Sequence, residues 1–197
     1  MIAPFSLPGH WKRYRAFDFG YARPFAVLWF AVDGDGVAYL YREWYGASAP
    51  DVGLRMHAGE IARGIRQMEQ QAGEENISGY ADPSIWDGSR GESIAEQMEK
   101  EGVFFTPGEN ARIAGKMQLH KRLAFDANGK AGLYVFLGCR QTIRTLPALQ
   151  YDRTRTEDVD TTGEDHIYDA LRYFLMARPI GNKPVVFKRK EFDPLAD

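Results

Sequence analysis

Three consecutive β-rich runs, residues 13–21, 24–32 and 37–45, constrain this chain more than any other stretch. The second and third are separated by Asp33-Gly34-Asp35-Gly36, and because glycine supplies the positive φ of a tight hairpin, the runs form an antiparallel meander of three strands. Beyond the meander, helix and strand alternate. Leu54, Ala58, Ile61, Ile65, Met68 and Ala72 recur at three and four residues, opened by Ser48-Ala-Pro-Asp51 in capping-box form and stopped by Gly73, which predicts one amphipathic helix. Residues 76–82 read as a short strand ended by Pro83, since proline donates nothing to a ladder and pushes the residue before it out of the helical region. A helix over 92–101, a strand at 103–105, a helix over 110–124, a strand at 133–137, a short helix over 139–146 and a polar loop over 151–163 come next. A last helix is opened by Thr161-Thr-Gly-Glu164 in capping-box form, with Ile167, Ala170, Leu171 and Phe174 as its buried stripe. In the 110–124 helix, Ile113, Met117 and His120 or Leu123 make the expected apolar stripe, with Arg112, Lys116, Lys121 and Arg122 on the polar side. A meander followed by alternating helix and strand requires a mixed sheet flanked by helices.

At 197 residues the chain can fill one core. Residues 13–178 are read as that domain, with 1–12 as an irregular lead-in and 179–197 as an extended or mobile tail that has little to bury. A single cysteine, Cys139, excludes an internal disulfide and a cysteine-rich zinc site. No apolar run approaches the roughly 20 residues of a membrane span, and the first residues lack the charged and apolar regions of a signal peptide, so a cytoplasmic location is expected. The formal net charge of -2 gives no global attraction to nucleic acid, and binding to such a polyanion requires a local patch.

Chemistry enters with Asp18. Strand alternation sends Phe17 and Phe19 to one face and Asp18 to the other, and a carboxylate in a half-buried strand needs hydrogen bonds, a cation or a metal to offset its desolvation. If the first strand is central, Asp82 ends a strand beside it and the last helix packs across that face, so Asp18, Asp82 and Asp169 can converge. Hard oxygen ligands without cysteine suit Mg²⁺ or Mn²⁺. Two such ions about 4 Å apart can clamp the attacking and leaving oxygens of a phosphodiester. Asp165, four residues before Asp169, shares its neighbourhood and is either a first-turn acid or a further ligand. His166 is expected to support the acids and not to act as a base. Arg112, Lys116, Lys121 and Arg122 are candidate phosphate contacts or a solvated helix face. Asp33 and Asp35 belong to their turn, and Trp29, Trp44 and Tyr45 to sheet packing.

Phe17-Asp18-Phe-Gly20 leading into a hairpin, Ala81-Asp82-Pro83, and Asp165-His-Ile-Tyr-Asp169-Ala-Leu-Arg-Tyr173 together resemble the C-terminal nuclease domain of the large terminase subunit of tailed double-stranded DNA phages, a branch of the RNase H-like nucleases. The last motif is the most specific of the three. The resemblance implies an RNase H-like α/β fold, with a mixed sheet of three antiparallel strands followed by parallel ones, flanked by helices. It also implies a Mg²⁺- or Mn²⁺-dependent endonuclease, with two ions, that cuts concatemeric viral double-stranded DNA during packaging in the host cytoplasm. Asp18 would bridge both metals, Asp82 would be the second acidic ligand and Asp169, or Asp165, the third. Double-stranded DNA, a packaging ATPase domain, a small terminase subunit and a portal protein are the implied partners. The sequence has no Walker A loop: Gly108 to Gly115-Lys116-Met117 has the wrong spacing and no Ser or Thr after the lysine. An isolated nuclease domain is therefore expected. A junction resolvase or transposase-like nuclease, and a non-catalytic portal or motor docking module, are the alternatives.

Overall fold

The computed structural model describes residues 1–89 and 91–180. Strands β1 (Lys12–Asp18), β2 (Ala26–Val32) and β3 (Ala38–Tyr45) form the expected meander, with β1 paired to β2 from Lys12↔Val32 through Asp18↔Ala26. A small hairpin of β4 (Ala47–Ala49) and β5 (Val52–Gly53) precedes α1 (Ala58–Gln71) and β6 (Ser78–Ala81). The chain continues through α2 (Ile94–Lys100), β7 (Thr106–Pro107), α3 (Arg112–Leu123), β8 (Leu133–Val135), α4 (Arg140–Thr145) and α5 (His166–Ala177).

The main sheet runs β7-β6-β1-β2-β3-β8. Strand β1 is central, antiparallel to β2 on one side and parallel to β6 on the other, while β7 joins β6 and β8 joins β3 in parallel. This is the mixed sheet that the order of elements predicts. Alternation divides the core as period two requires. Tyr14, Ala16, Leu28 and Phe30 face α5, whose Phe174 ring lies 3.9 Å from and nearly parallel to that of Phe30. Phe17, Val27 and Trp29 face α1 through Ile61, Ala62 and Ile65. Each fully buried Leu, Ile, Val or Phe among them contributes about 1.5–3 kcal/mol relative to exposure, so both faces of β1 and β2 are held by packing.

Four local expectations fail for identifiable reasons. Residues 48–51 do not cap a helix; they turn the β4–β5 hairpin, with Asp51 at φ 58°, and α1 starts at Ala58, where the Glu60 carboxylate accepts from the His57 amide. The strand expected at 103–105 is displaced to Thr106–Pro107, because Val103 turns into the α1-side core and Phe104 turns out. The 161–164 capping box does not form: Asp165 occupies the N-cap, and the Glu164 carboxylate instead accepts from Arg144, Tyr45 and the Asp51 amide.

The fourth concerns α3, which buries the opposite face. Ile113 and Met117 are 54% and 51% exposed, whereas Gly115, Lys116, Leu119 and Arg122 turn inward. Gly115 decides this: a Cβ there would collide with the Arg172 side chain, so its absence lets α3 approach α5 closely. The long stems of Lys116 and Arg122 then bury along that contact, their charged ends finding backbone carbonyls of Glu157 and of Gly36, Gly132 and Arg178. The proposed 179–197 tail lies, from residue 181, outside the described residues.

Candidate functional site

Asp18 is the last residue of β1, not its middle, and stands at the carboxyl end of the central strand. Because β6 runs parallel in the register Phe17↔Ala81, the next residue, Asp82, leaves the same edge, and its amide donates to the Phe17 carbonyl at 3.3 Å. Carboxyl ends of parallel strands are where ligand crevices form in open α/β sheets. Helix α5 crosses this edge and packs on β1, β2 and β6. Its residues His166, Asp169 and Tyr173, spaced by three and four, share one face. The His166 imidazole is bonded through Nδ1 to Asp18 Oδ2 at 3.1 Å, and the Tyr173 hydroxyl donates to Asp82 Oδ2. Asp82 Oδ1 accepts from the Ser84 amide at 2.7 Å, capping a single turn that begins at Pro83.

Asp169 is held from two sides. Arg112 Nη1 donates to both of its oxygens at 2.9 and 3.1 Å, and Arg172 Nε to one of them at 3.2 Å. Arg112 Nε also donates to both oxygens of Asp158, at 3.2 and 3.1 Å, and its Nη2 lies 3.6 Å from Asp165. Arg172 is fully buried and completes its bonds on the Glu109 carbonyl and the Asn110 side chain.

The electrostatics follow from crowding acids out of water. Burial pushes the Asp18 carboxyl up to about 7, and the nearby Asp169 and Asp82 carboxylates push the same way, against the bond from His166. Burial, reinforced by Asp169, pushes Asp165 up to about 6. Burial works against protonation of His166, yet its bond to Asp18 and the charges of Asp18, Asp165 and Asp169 hold the imidazole above its usual value.

The edge therefore gathers Asp18, Asp82, Asp165 and Asp169, and with them Asp158, which the sequence hid inside a polar loop. Arg112 arrives as an ion-pair partner of these acids. Lys116, only 8% exposed, turns away from solvent, its ammonium over the Tyr151 ring at 4.4 Å from the centroid. Arg172 and Tyr173 stand in the third sequence motif but were assigned no role there; the spacing of His166, Asp169 and Tyr173 was the available signal. The donor chemistry, all carboxylate oxygen with one imidazole, fits Mg²⁺ or Mn²⁺. Among the described residues, no three His, Cys, Asp or Glu side chains converge tightly enough to hold an ion in the arrangement present, because Asp82 and Asp169 are turned onto Tyr173 and Arg112.

No family model matches the chain, and no curated relative does. Solved structures do. The nuclease domain of the P22 large terminase superposes with a TM-score of 0.69 at 20% identity, covering 90% of this chain and 86% of that one. The large terminase of a thermophilic bacteriophage gives 0.66 at 18% identity over 85% of this chain, which spans 39% of that longer protein. The large terminase nuclease of the thermophilic phage G20c, determined with bound cobalt, gives 0.53 at 18% identity over 88% of this chain and 90% of its own; a second structure of it carries zinc. The chain has the fold of these nuclease domains.

Proposed function

We propose that this chain is a divalent-metal-dependent DNA endonuclease of the large-terminase type, cutting concatemeric double-stranded DNA by hydrolysis of a phosphodiester. The observation that carries the reading is the meeting of Asp18 and Asp82, on adjacent parallel strand ends, with Asp169 on the helix that crosses them. The same fold in nuclease domains, one of them determined with cobalt and with zinc, supports it. Asp18, Asp82 and Asp169 would hold Mg²⁺ or Mn²⁺, with Asp165 at hand one turn before Asp169. Such ions supply an activated water and stabilise the charge that develops on the phosphate. The protein's own share is positioning: β1 fixes Asp18, Tyr173 and the Ser84 amide orient Asp82, and His166 bonds Asp18.

Duplex DNA reaching this edge would meet the loops after β1 and β5, where Arg23 and Arg55 are exposed, and we assign phosphate contact to these two in place of the buried Lys116. Arg112 touches DNA in this reading only if its carboxylates release it. A packaging ATPase, a small terminase subunit and a portal protein are the partners such a nuclease would serve.

The test is nicking of supercoiled plasmid with Mn²⁺ or Mg²⁺ by the wild type, Asp18→Asn and Asp169→Asn. Metal-dependent nicking lost in both variants is the expected result. Wild-type activity in Asp18→Asn, or none in the wild type with either metal, would overturn the reading and favour a docking module.

A further inference from the structure

We infer that Arg112 is a resident counter-ion of the carboxylate edge, holding Asp169 in the metal-free state and yielding it to a divalent cation, so that arginine pairing and metal ligation at Asp169 exclude one another. On the metal-centre reading above, this makes α3 a built-in brake on metal uptake.

Among the described residues, Arg112 is the only group of α3 that pairs with these acids, and it is that helix's first residue. Its fork spans three carboxylates: both oxygens of Asp169, both oxygens of Asp158, and Asp165 at 3.6 Å. With Arg172 added, Asp169 has three of its roughly four lone-pair sites occupied by guanidinium hydrogens. It therefore has little left to offer an ion beside Asp18, which fits the lack of a converged donor set among the described residues.

The two arginines differ in freedom. Arg172 is locked by the Glu109 carbonyl and the Asn110 side chain and is fully buried. The Arg112 side chain keeps 22% of its surface exposed, and its Nη2 is buried without a hydrogen-bond partner. Asp158 gives it a place to remain. Itself fixed by the Val159 amide at 2.7 Å, Asp158 can keep the arginine after Asp169 has turned toward the ion. A guanidinium and a divalent cation on one carboxylate repel each other across it, the more so at low dielectric, so each weakens the other's hold on Asp169. Acid and arginine thus form a two-position element that metal biases.

The experiment measures Mn²⁺ binding to the full chain by calorimetry, with melting temperatures with and without Mn²⁺, for the wild type and Arg112→Gln. Arg112→Gln is expected to melt lower without metal, because three acids lose their cation, yet to bind Mn²⁺ about tenfold more tightly, or about 1.4 kcal/mol. Mn²⁺ would then raise its melting temperature more than that of the wild type and narrow the gap between them. An arginine that only stabilises the fold would lower both melting temperatures equally and leave the affinity unchanged, and that result overturns the inference. Weaker Mn²⁺ binding in folded Arg112→Gln overturns it as well, since it would make Arg112 a support of the metal-bound form. If the glutamine variant does not fold, Arg112→Lys keeps the charge and loses the fork; a smaller tightening is then expected, and equal or weaker binding overturns the inference. Absence of Mn²⁺ uptake by every form defeats the metal-centre reading and this inference together. Uptake by the wild type without gain in the variants defeats the inference alone.

Discussion

Replacing Asp18 by Asn should stabilise the metal-free protein while abolishing metal-dependent cleavage. Burial lifts the Asp18 carboxyl from 3.8 to about 7. An acid whose folded pKa is raised contributes stability that is fully present below 3.8 and is lost as pH climbs through about 7, because the folded chain retains a proton that the unfolded chain has released. A rise of about three pH units at about 1.4 kcal/mol each corresponds to ~4 kcal/mol of unfavourable ionisation at pH 8. Asn, which resembles the neutral acid, escapes this cost, and the value of about 7 already includes the bond from His166, so nothing further is subtracted for it. The gain of ~4 kcal/mol at pH 8 is an upper bound, and for a chain of this size it raises the melting temperature by up to about 8–16 °C. The assay is thermal unfolding in EDTA from pH 4 to pH 8. Wild-type stability should fall across that range, and Asp18→Asn should flatten the fall to the share of Asp165, whose window closes near 6. A melting temperature for Asp18→Asn at or below that of the wild type at pH 8, or an unchanged pH slope, would refute the claim that an uncompensated charge sits at the end of β1.

Tyr173→Phe keeps the ring against Arg172 and deletes the hydroxyl that donates to Asp82; it should cost about 1 kcal/mol of stability and slow Mn²⁺-dependent nicking about 10–100-fold, measured as initial rates alongside urea unfolding. Arg23→Ala and Arg55→Ala should each weaken duplex binding and lower its salt slope by about one, whereas Lys116→Met should lower stability and leave DNA affinity unchanged. Fluorescence anisotropy over a salt series separates the two classes, and a Lys116→Met protein that stays stable but loses a unit of slope would return that lysine to the DNA interface.

The parts of this architecture visible in the sequence are those fixed by period and topology. Alternation alone separates Phe17 from Asp18, and parallel pairing of β6 with β1 then brings Asp82 to the same edge without any further choice. What stayed hidden depends on side-chain length and on close packing. The apolar spacing of Ile113 and Met117 points to a core face, yet the absence of a Cβ at Gly115 admits the Arg172 side chain and turns α3 the other way. Arg122 is 3% exposed, which no polarity pattern indicates, because three backbone carbonyls at chain turns and helix ends receive its guanidinium. Asp158 was illegible for the same kind of reason: its partner lies 46 residues away, and only the fold brings the two together.

Charge balance at the edge connects these observations. Asp18, Asp82, Asp158, Asp165 and Asp169 face Arg112, Arg172 and His166, while the nearby Asp51 is paired with Arg23. Two negative charges are left over when the imidazole is protonated, and three when it is neutral. Burial resolves the excess in the metal-free chain by lifting Asp18 and Asp165 toward neutrality. A single divalent cation would resolve it without protons, since a hard ion favours ionised oxygens. With Arg112 kept in the cluster by Asp158, a second ion would exceed the charge of these side chains wherever the arginine sits, so two-ion chemistry at this edge would draw on the negative charge of the DNA phosphate itself.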